Sequence, residues 1–376
     1  MNNKTGEPIN YWNYLKLDQL LNLQTGLEKN DDQMSEDEMH FIVVHQVFEL
    51  WFKLMIRELD LVRDKMSDPK VEEEVIPFAV HHLKRVNIIL GLAVKHFDLM
   101  ETLPPQDFLV FRSKLGTASG FQSFQMRELE LLLGLELSER KAYGHGNPIG
   151  VILKTAETSA AGKGVIEGIE KAKEGPSLRD VIHGWLYRTP IQGVGPGNTD
   201  DESVVDAFLN NYLAAMKRQQ EQQIQQLASK GNSQEETVVR KRFETMNAQS
   251  EQFLFARDVE EKDRKRLKRI RAGGLFIESY RELPLLSWPR LLLDTVVELE
   301  ELFITFRFRH ARMVERMIGR RIGTGGSSGV DYLDKTTKYR IFKELWAVRT
   351  LLLPQEWLPK LEKPEKYGFL IEYPGK

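Results

Sequence analysis

Residues Phe303–Tyr332, FITFRFRHARMVERMIGRRIGTGGSSGVDY, decide how the rest of the chain is interpreted. A long helical pattern carries a single histidine, His310, and a glycine-rich loop follows it at residues 323–329. Several apolar residues are offset from the histidine by three, four or seven positions and so share its side of a helix: Phe303, Phe306, Met313, Val314 and Met317. His310 is therefore predicted to lie on an apolar face.

Two interpretations of His310 are open on this pattern. A lone histidine on an apolar face is most often a core residue that hydrogen-bonds a backbone group. The alternative is an axial metal ligand, most naturally to haem iron in an apolar pocket. The loop favours the alternative, because its glycines allow consecutive backbone N–H groups to form a concave anion-binding nest. It is not a nucleotide P-loop, since no Gly-Lys-Ser/Thr is present.

Composition limits the class of protein. The chain has 376 residues, of which 41% are hydrophobic and 29% charged, as in a soluble protein with a sizeable core. Its formal charge of −2 gives no general attraction to nucleic acid or anionic membranes, so we expect neither as a partner. The absence of cysteine excludes disulfides, thiolate-ligated haem and zinc-finger sites. A polar N-terminus without a long apolar run favours a cytoplasmic protein with no membrane span.

Helical periodicity covers nearly the whole chain. Ser35–Glu38 reads as a capping box that starts a helix running to about Met66. Ser287 starts the helix of about thirty residues that carries His310, and a further helix is predicted over Asp331–Leu353. The basic run Lys262–Arg271 is interpreted as a solvated helix face, closed by Gly273-Gly274, rather than as a nucleic-acid site.

Two-residue alternation is nearly absent, so the fold is predicted to be all-α. We expect one large helical domain over residues 1–376, with a haem pocket between helices. Residues 1–30 are expected to form an N-terminal arm, and residues 135–256 a divergent inserted segment.

Other candidate site residues stand in helical or glycine-containing segments. His45 shares an apolar stripe with Phe41, which makes it either a core histidine or part of a wall for a flat aromatic ligand. Arg112 follows Phe108 by four residues, so a helix would place them side by side. An arginine there is suited to gripping a carboxylate, although most arginines are simply solvated. Gly120 permits close approach of the backbone to a ligand.

Several separate segments together resemble the tryptophan 2,3-dioxygenase family. The clearest are HQVFELWFK, ASGFQS and GTGGSSG, within Phe41–Lys53, Phe111–Gln125 and His310–Leu333, and Tyr11–Gln24 is also similar. Their order along the chain matches, as does the single histidine before the glycine loop. The resemblance covers most of the chain and is weak between about residues 135 and 275.

This resemblance implies a haem b cofactor, with ferrous iron in the active form, bound through His310 as the proximal ligand. It implies that Ser119 and Gly120 lie over the haem on its distal side. The catalytic His45 would lie on that side too, near the indole nitrogen of the substrate.

The same resemblance implies how L-tryptophan is held. Phe41 and Phe108 would flank the indole, Arg112 would bind the carboxylate, and Thr324 would help to hold the carboxylate and ammonium groups. Tyr11 and Tyr14 would reach the site of a neighbouring subunit in a homotetramer.

The implied reaction inserts both atoms of O₂ across the indole C2–C3 bond and gives N-formylkynurenine, the first step of tryptophan catabolism through kynurenine. Phe306 stands where the family usually has tryptophan, and Val330-Asp331 replaces a common Tyr-His pair. These departures keep two alternatives open. One is a haem-dependent mono- or dioxygenase of a modified indole in specialised metabolism, and the other is a non-catalytic sensor of haem or tryptophan.

Overall fold

The computed structural model describes residues 10–116, 118–140, 148–159, 162–229, 233–321 and 329–368. Throughout these ranges the regular structure is helical, and extended pairing is limited to an isolated bridge between Ile191 and Val194. The predicted all-α class is confirmed. The division into an arm, a core and an inserted segment stays a prediction.

In chain order, the α-helices of the described residues are α1 (Tyr11–Leu15), α2 (Leu17–Leu20), α3 (Glu38–Met66), α4 (Val75–Met100), α5 (Pro105–Arg112), α6 (Phe124–Leu133), α7 (Pro148–Ala156), α8 (Gly162–Lys173), α9 (Leu178–Arg188), α10 (Asp201–Ala228), α11 (Ser233–Leu254), α12 (Glu261–Ser279), α13 (Ser287–Ile318), α14 (Gly329–Thr336) and α15 (Lys343–Thr350). Short 3₁₀ turns at Ser113–Leu115 and Gly120–Gln122 connect α5 to α6.

Helix α4 packs along both α3 and α13, and this three-helix layer positions the site. Aromatic rings fill the layer: Phe48 of α3 meets Phe306 of α13 edge to face at 5.9 Å, and Phe97 of α4 lies 5.0 Å from each of them. Burying each such ring contributes about 1.5–3 kcal/mol, so the register of the three helices is firmly set. His45 on α3 and His310 on α13 are thereby held near each other.

The helix carrying His310 begins at Ser287, as predicted, and ends at Gly319, whose φ of 61° lies in the left-handed region that glycine tolerates. The continuous helix predicted over Asp331–Leu353 is wrong. Buried Glu300 of α13 accepts hydrogen bonds from the backbone N–H groups of Ile341 and Phe342 and from the indole N–H of Trp346. These two backbone N–H groups therefore have acceptors without being part of a helix, and the chain divides here into α14 and α15.

Gly273-Gly274 does not end the basic helix, because α12 continues through both residues to Ser279. A Cβ at position 273 would lie 2.5 Å from the carbonyl oxygen of Leu186, so this glycine allows α9 and α12 to approach closely. The basic run is also not a wholly solvated face. Arg271 is buried and forms a bidentate pair with Asp258 at 2.6 and 2.9 Å.

The predicted capping box at Ser35 is also wrong, because α3 begins only at Glu38 and its N-cap is Asp37, without a side-chain cap. Glu38 is buried and pairs with Lys114 at 2.9 Å, which ties the start of α3 to the turn after α5. The same carboxylate also accepts from the Ser35 backbone N–H at 3.4 Å, so what the predicted box lacks is the cap by the Ser35 side chain.

Helices α3 and α4 are each long and apolar enough to cross a membrane, judged by length and composition alone. In this fold they pack against each other, and α4 also packs against α13, so their apolar faces build the core. Core packing accounts for part of their composition, whereas other apolar residues of the two helices, such as Leu50 and Ile88, are exposed.

Candidate active site

A cavity of about 180 Å³ opens between α3, α5 and α13, and we call it the Arg112 cavity. A second cavity of about 90 Å³, the Arg127 cavity, lies between α3, α4, α6, α13 and α14. The two cavities share wall residues and so form adjoining spaces; the shared residues are His45, Met100, Gly120, Phe121, His310 and Met313.

Two phenylalanine rings pack near the imidazole of His310. Phe97 stacks nearly parallel to the imidazole, at 5.8 Å and 12°, and Phe306 lies 6.2 Å away. In the part of the chain that the structure describes, the ring has no hydrogen-bond partner. Burial, with smaller effects of His45 and Arg127, lowers the pKa of the His310 imidazole to about 4. The neutral imidazole therefore has a nitrogen lone pair available for a metal.

His45 faces the same space from α3. Its Nδ1 lies 2.8 Å from the carbonyl oxygen of Phe41, one turn earlier. A carbonyl only accepts hydrogen bonds, so Nδ1 carries the proton and Nε2 is left as an acceptor. Burial lowers the pKa of His45, which keeps this neutral tautomer.

Aromatic rings and an arginine form one wall of the Arg112 cavity. Phe41 lies 5.7 Å from Phe108 across the α3–α5 contact. Arg112 is one turn beyond Phe108 on α5, as predicted, and both line the cavity. Over the described ranges, no hydrogen bond or ion pair engages the Arg112 guanidinium. It is therefore free to bind an anionic group.

Ser119 and Gly120 line the same cavity at the turn before α6. The Ser119 backbone N–H donates to Oε1 of Gln122, and the Ser119 hydroxyl accepts from the Phe121 N–H at 3.3 Å. A Cβ at position 120 would meet no atom within 4 Å, so this part of the wall is open. The turn presents backbone rather than a bulky side chain to the cavity.

Thr324 lies outside the described residues. Tyr11 and Tyr14 are on α1, 70% and 78% exposed, and neither lines the Arg112 cavity or the Arg127 cavity. The structure thus brings seven predicted residues together around the cavities and leaves the two tyrosines on the surface; the seven are Phe41, His45, Phe108, Arg112, Ser119, Gly120 and His310.

Sequence reasoning missed two features of the site. The first is Phe97, whose ring orients His310, and no pattern near it identified this role. The second is the pair Arg127 and Glu130 on α6, which lines the Arg127 cavity with Arg307. A signal was available here, because FQMRELELLL carries three charged residues, Arg127, Glu128 and Glu130, in a helix whose other residues are mostly apolar.

These side chains fit a haem better than a bare metal ion. Residues 10–116, 118–140, 148–159, 162–229, 233–321 and 329–368 contain no group of three His, Asp or Glu side chains that could hold a metal. Haem iron takes its in-plane ligands from the macrocycle and needs only an axial ligand from the protein. A neutral imidazole facing an apolar space beside buried arginines supplies such a ligand.

Comparisons with known proteins point to one family. A family model described as tryptophan 2,3-dioxygenase matches residues 1–352. The chain is 43% identical to a tryptophan 2,3-dioxygenase of Sorangium cellulosum, over 97% of this chain and 88% of that protein. It is 42% identical to tryptophan 2,3-dioxygenase 2 of Ralstonia nicotianae, over 97% of this chain and 99% of that protein. It is 45% identical to a tryptophan 2,3-dioxygenase-like protein of Xanthomonas campestris, over 71% of this chain and 98% of the relative.

Proposed function

Because the chain belongs to the tryptophan 2,3-dioxygenase family, we propose that His310 would hold the iron of haem b and that L-tryptophan would bind beside it in the Arg112 cavity. The protein is an oxidoreductase that cleaves tryptophan oxidatively, opening the indole C2–C3 bond with O₂ to give N-formylkynurenine. The observation that carries the site assignment is that His310, His45 and Arg112 all face one cavity.

Haem, when bound, supplies the ferrous iron that activates O₂. The contribution of His310 is to hold that iron with a neutral nitrogen while Phe97 and Phe306 fix the plane of the ring. Because the low pKa of the imidazole keeps the proton off the ligating nitrogen, little free energy is lost to deprotonation on binding.

Arg112 and the two phenylalanines position the substrate. The guanidinium binds the carboxylate through charge-assisted hydrogen bonds, which contribute about 1.5–3 kcal/mol. Phe41 and Phe108 pack against the indole and exclude water from it. Fixing the amino-acid head and the ring together holds the C2–C3 bond in one orientation, which lowers the entropic part of the barrier.

His45 accepts a hydrogen bond from the indole N–H. Its Nδ1 proton is engaged by the Phe41 carbonyl, so Nε2 is the acceptor that faces the cavity. This contact selects an indole with a free N–H over an N-methylated one. Ser119 and Gly120 shape the distal wall on the same side.

The remaining assignments rest on the family. Thr324 helps to hold the carboxylate and ammonium groups of the substrate, and Tyr11 and Tyr14 reach the site of a neighbouring subunit in a homotetramer. The exposure of both tyrosines supports a role outside their own chain. We also place the enzyme in the cytoplasm, in keeping with its lack of cysteine.

A single aerobic turnover tests the reaction. Haem-loaded, reduced protein is mixed with L-tryptophan under ¹⁸O₂ and the products are weighed by mass spectrometry. Two labelled atoms in N-formylkynurenine are expected. One labelled atom would instead identify a monooxygenase. If tryptophan gave no product but a substituted indole were turned over, the protein would be a tailoring enzyme. If haem were bound and no indole were turned over, the protein would be a sensor.

A further inference from the structure

A buried cluster of charge lies beside the Arg127 cavity. The carboxylate of Glu130, 2% exposed, accepts from Arg127 at 2.9 Å, from Arg307 at 3.1 Å and also from Arg140. The three arginines come from α6, from α13 and from the segment after α6, and each is less than a tenth exposed. Three guanidinium groups therefore surround one carboxylate out of contact with bulk water.

The charges of this cluster do not balance. Tyr332 contacts Arg127, but burial raises the pKa of its phenol to about 12, so the phenol is neutral and supplies no negative charge. Glu49 is a further carboxylate on the cavity wall, and it accepts a hydrogen bond from the Gln125 amide at 2.7 Å. Among the described residues, even with Glu49 counted, the three arginines outnumber the carboxylates by one.

Unused hydrogen-bond donors accompany this excess charge. The Nε–H groups of Arg127 and Arg140 are buried and have no acceptor within the described residues. A buried, incompletely paired guanidinium is costly, because it has lost water and gained too little in return. An anion entering the Arg127 cavity would meet both Arg127 and Arg307, which line its wall with His310.

We propose that Arg127 and Arg307 bind a carboxylate group of the cofactor, so that the Arg127 cavity is the end of the haem site that receives a propionate. This inference rests on the proposed binding of haem at His310. Tryptophan has a single carboxylate, and the unpaired Arg112 in the adjoining cavity is placed to take it. A haem carries two carboxylates on one edge and can satisfy the excess charge without displacing the substrate.

The test compares haem with its dimethyl ester, which has the same macrocycle and no free carboxylates. Dissociation constants of both are measured with wild-type protein, Arg127→Met, Arg127→Lys and Arg63→Met. Arg63→Met is the matched control, because Arg63 is equally buried and ion-paired, on α3, but lines neither cavity. Release of haem from each holoprotein to excess apomyoglobin gives a second readout that does not depend on activity.

Wild-type protein is expected to bind haem about tenfold to a hundredfold more tightly than the ester, the size of one or two charge-assisted bonds. Arg127→Met is expected to lose haem faster by a similar factor and to discriminate poorly between the two ligands. Arg127→Lys should recover part of the difference, and Arg63→Met should behave as wild type.

Equal affinity of wild-type protein for haem and for the ester would overturn the inference and leave the proposed function intact. Failure of wild-type protein to bind either macrocycle would instead reject the proposed function itself. If Arg127→Met weakened tryptophan binding and left haem affinity unchanged, the cluster would serve the substrate carboxylate, and the inference would again be wrong.

Discussion

Hydrophobic contacts rather than hydrogen bonds orient the imidazole of His310. The ring of Phe97 stacks on it, and Phe306, one turn earlier on α13, lies 6.2 Å from it. A carboxylate partner would raise the basicity of a ligating imidazole, and no such partner occurs in the described residues. Packing therefore sets the direction of the neutral imidazole, as the proposed role of a ligand requires.

Arg112→Leu tests whether the Arg112 guanidinium binds the carboxylate of the substrate. The leucine keeps much of the apolar stem and removes the charge, so we expect KM for L-tryptophan to rise about tenfold to a hundredfold while haem content stays the same. Steady-state kinetics and the haem absorbance of the purified protein measure the two quantities.

Arg57→Leu is the control for that variant. Arg57 is an exposed arginine of α3 that does not line the Arg112 cavity. Its loss should leave KM unchanged. An Arg112→Leu enzyme with unaltered KM and kcat would show that another group binds the carboxylate.

The single residues of the site differ in how far sequence could identify them. His310, His45 and Arg112 were found because helical spacing placed each beside apolar residues, and the family resemblance then gave each a role. The contact of Phe97 with His310 and that of Glu130 with Arg307 join helices far apart in sequence. The spacing of Arg127 and Glu130 on α6 could have drawn attention to that pair, but no local period encodes either contact with α13.

At the scale of helices, α9 and α12 approach each other at Gly273. Ala at this position would place Cβ 2.5 Å from the carbonyl oxygen of Leu186, so Gly273→Ala is expected to lower the free energy of unfolding by about 1–3 kcal/mol. At the neighbouring Gly274 a Cβ would lie 3.8 Å from its nearest contact, the Val348 side chain. Gly274→Ala should therefore raise the free energy of unfolding by about 0.5–1 kcal/mol through helix propensity.

Urea denaturation of the two variants beside wild type measures these opposite effects. Both substitutions change glycine to alanine in the same helix, so the contribution of helix propensity to the free energy of unfolding is the same in both. The difference between the two variants therefore measures the α9–α12 contact. Similar stabilities of the two variants would show that the α9–α12 contact is looser than the structure indicates.

Glu128 makes the packing of α6 on α8 dependent on pH. Burial, reinforced by the negative charge of Asp60, raises the pKa of its carboxyl from 4.5 to about 7. The unfolded chain loses this proton at lower pH than the folded chain does. The free energy of unfolding therefore falls as pH rises through that window.

Glu128→Gln replaces the carboxyl group, which titrates, by an amide of nearly the same shape, which does not. Relative to wild type it should be more stable at about pH 8, by about 1–3 kcal/mol, and should gain nothing at about pH 4. Urea midpoints at the two pH values measure the difference, with exposed Glu167→Gln of α8 as the control. An equal effect of Glu128→Gln at both pH values would contradict a raised pKa.

Elements were predicted well where their own periodicity was strong and poorly where distant groups intervened. The helix from Ser287 appears as expected, with His310 on its apolar face. The breaks at Ser35, at Gly273-Gly274 and within Asp331–Leu353 were misplaced. At the last two of these, a partner from another element, Leu186 or Glu300, determines the backbone path.

On the scale of the whole molecule, helices α1 and α2 present an apolar surface to solvent. Tyr11, Trp12 and Tyr14 are all more than half exposed, as is Leu21. Monomeric proteins seldom expose so many large apolar side chains together. Such a group of exposed aromatic and apolar residues is typical of a surface that another subunit covers. We therefore expect a homotetramer by light scattering, with each arm completing a neighbouring site.

Co-expression tests whether the arms cross between subunits. A Tyr11→Ala/Tyr14→Ala double variant and an Arg112→Leu variant are each expected to have low activity alone. In mixed assemblies some sites combine an intact Arg112 with an intact arm from the other chain. Activity of the mixture above that of either variant is the expected result, and no gain from verified mixed assemblies would confine each arm to its own subunit.

The central claim is that His310 holds the cofactor, and His310→Gly tests it most directly. The purified variant is compared with wild type by haem content and by the absorption spectrum of the ferrous form, with and without added imidazole. The account predicts loss of most haem, or of the wild-type spectrum, and restoration by imidazole occupying the space left by the side chain. A variant with full haem content and an unchanged spectrum in the absence of imidazole would show that another residue is the ligand.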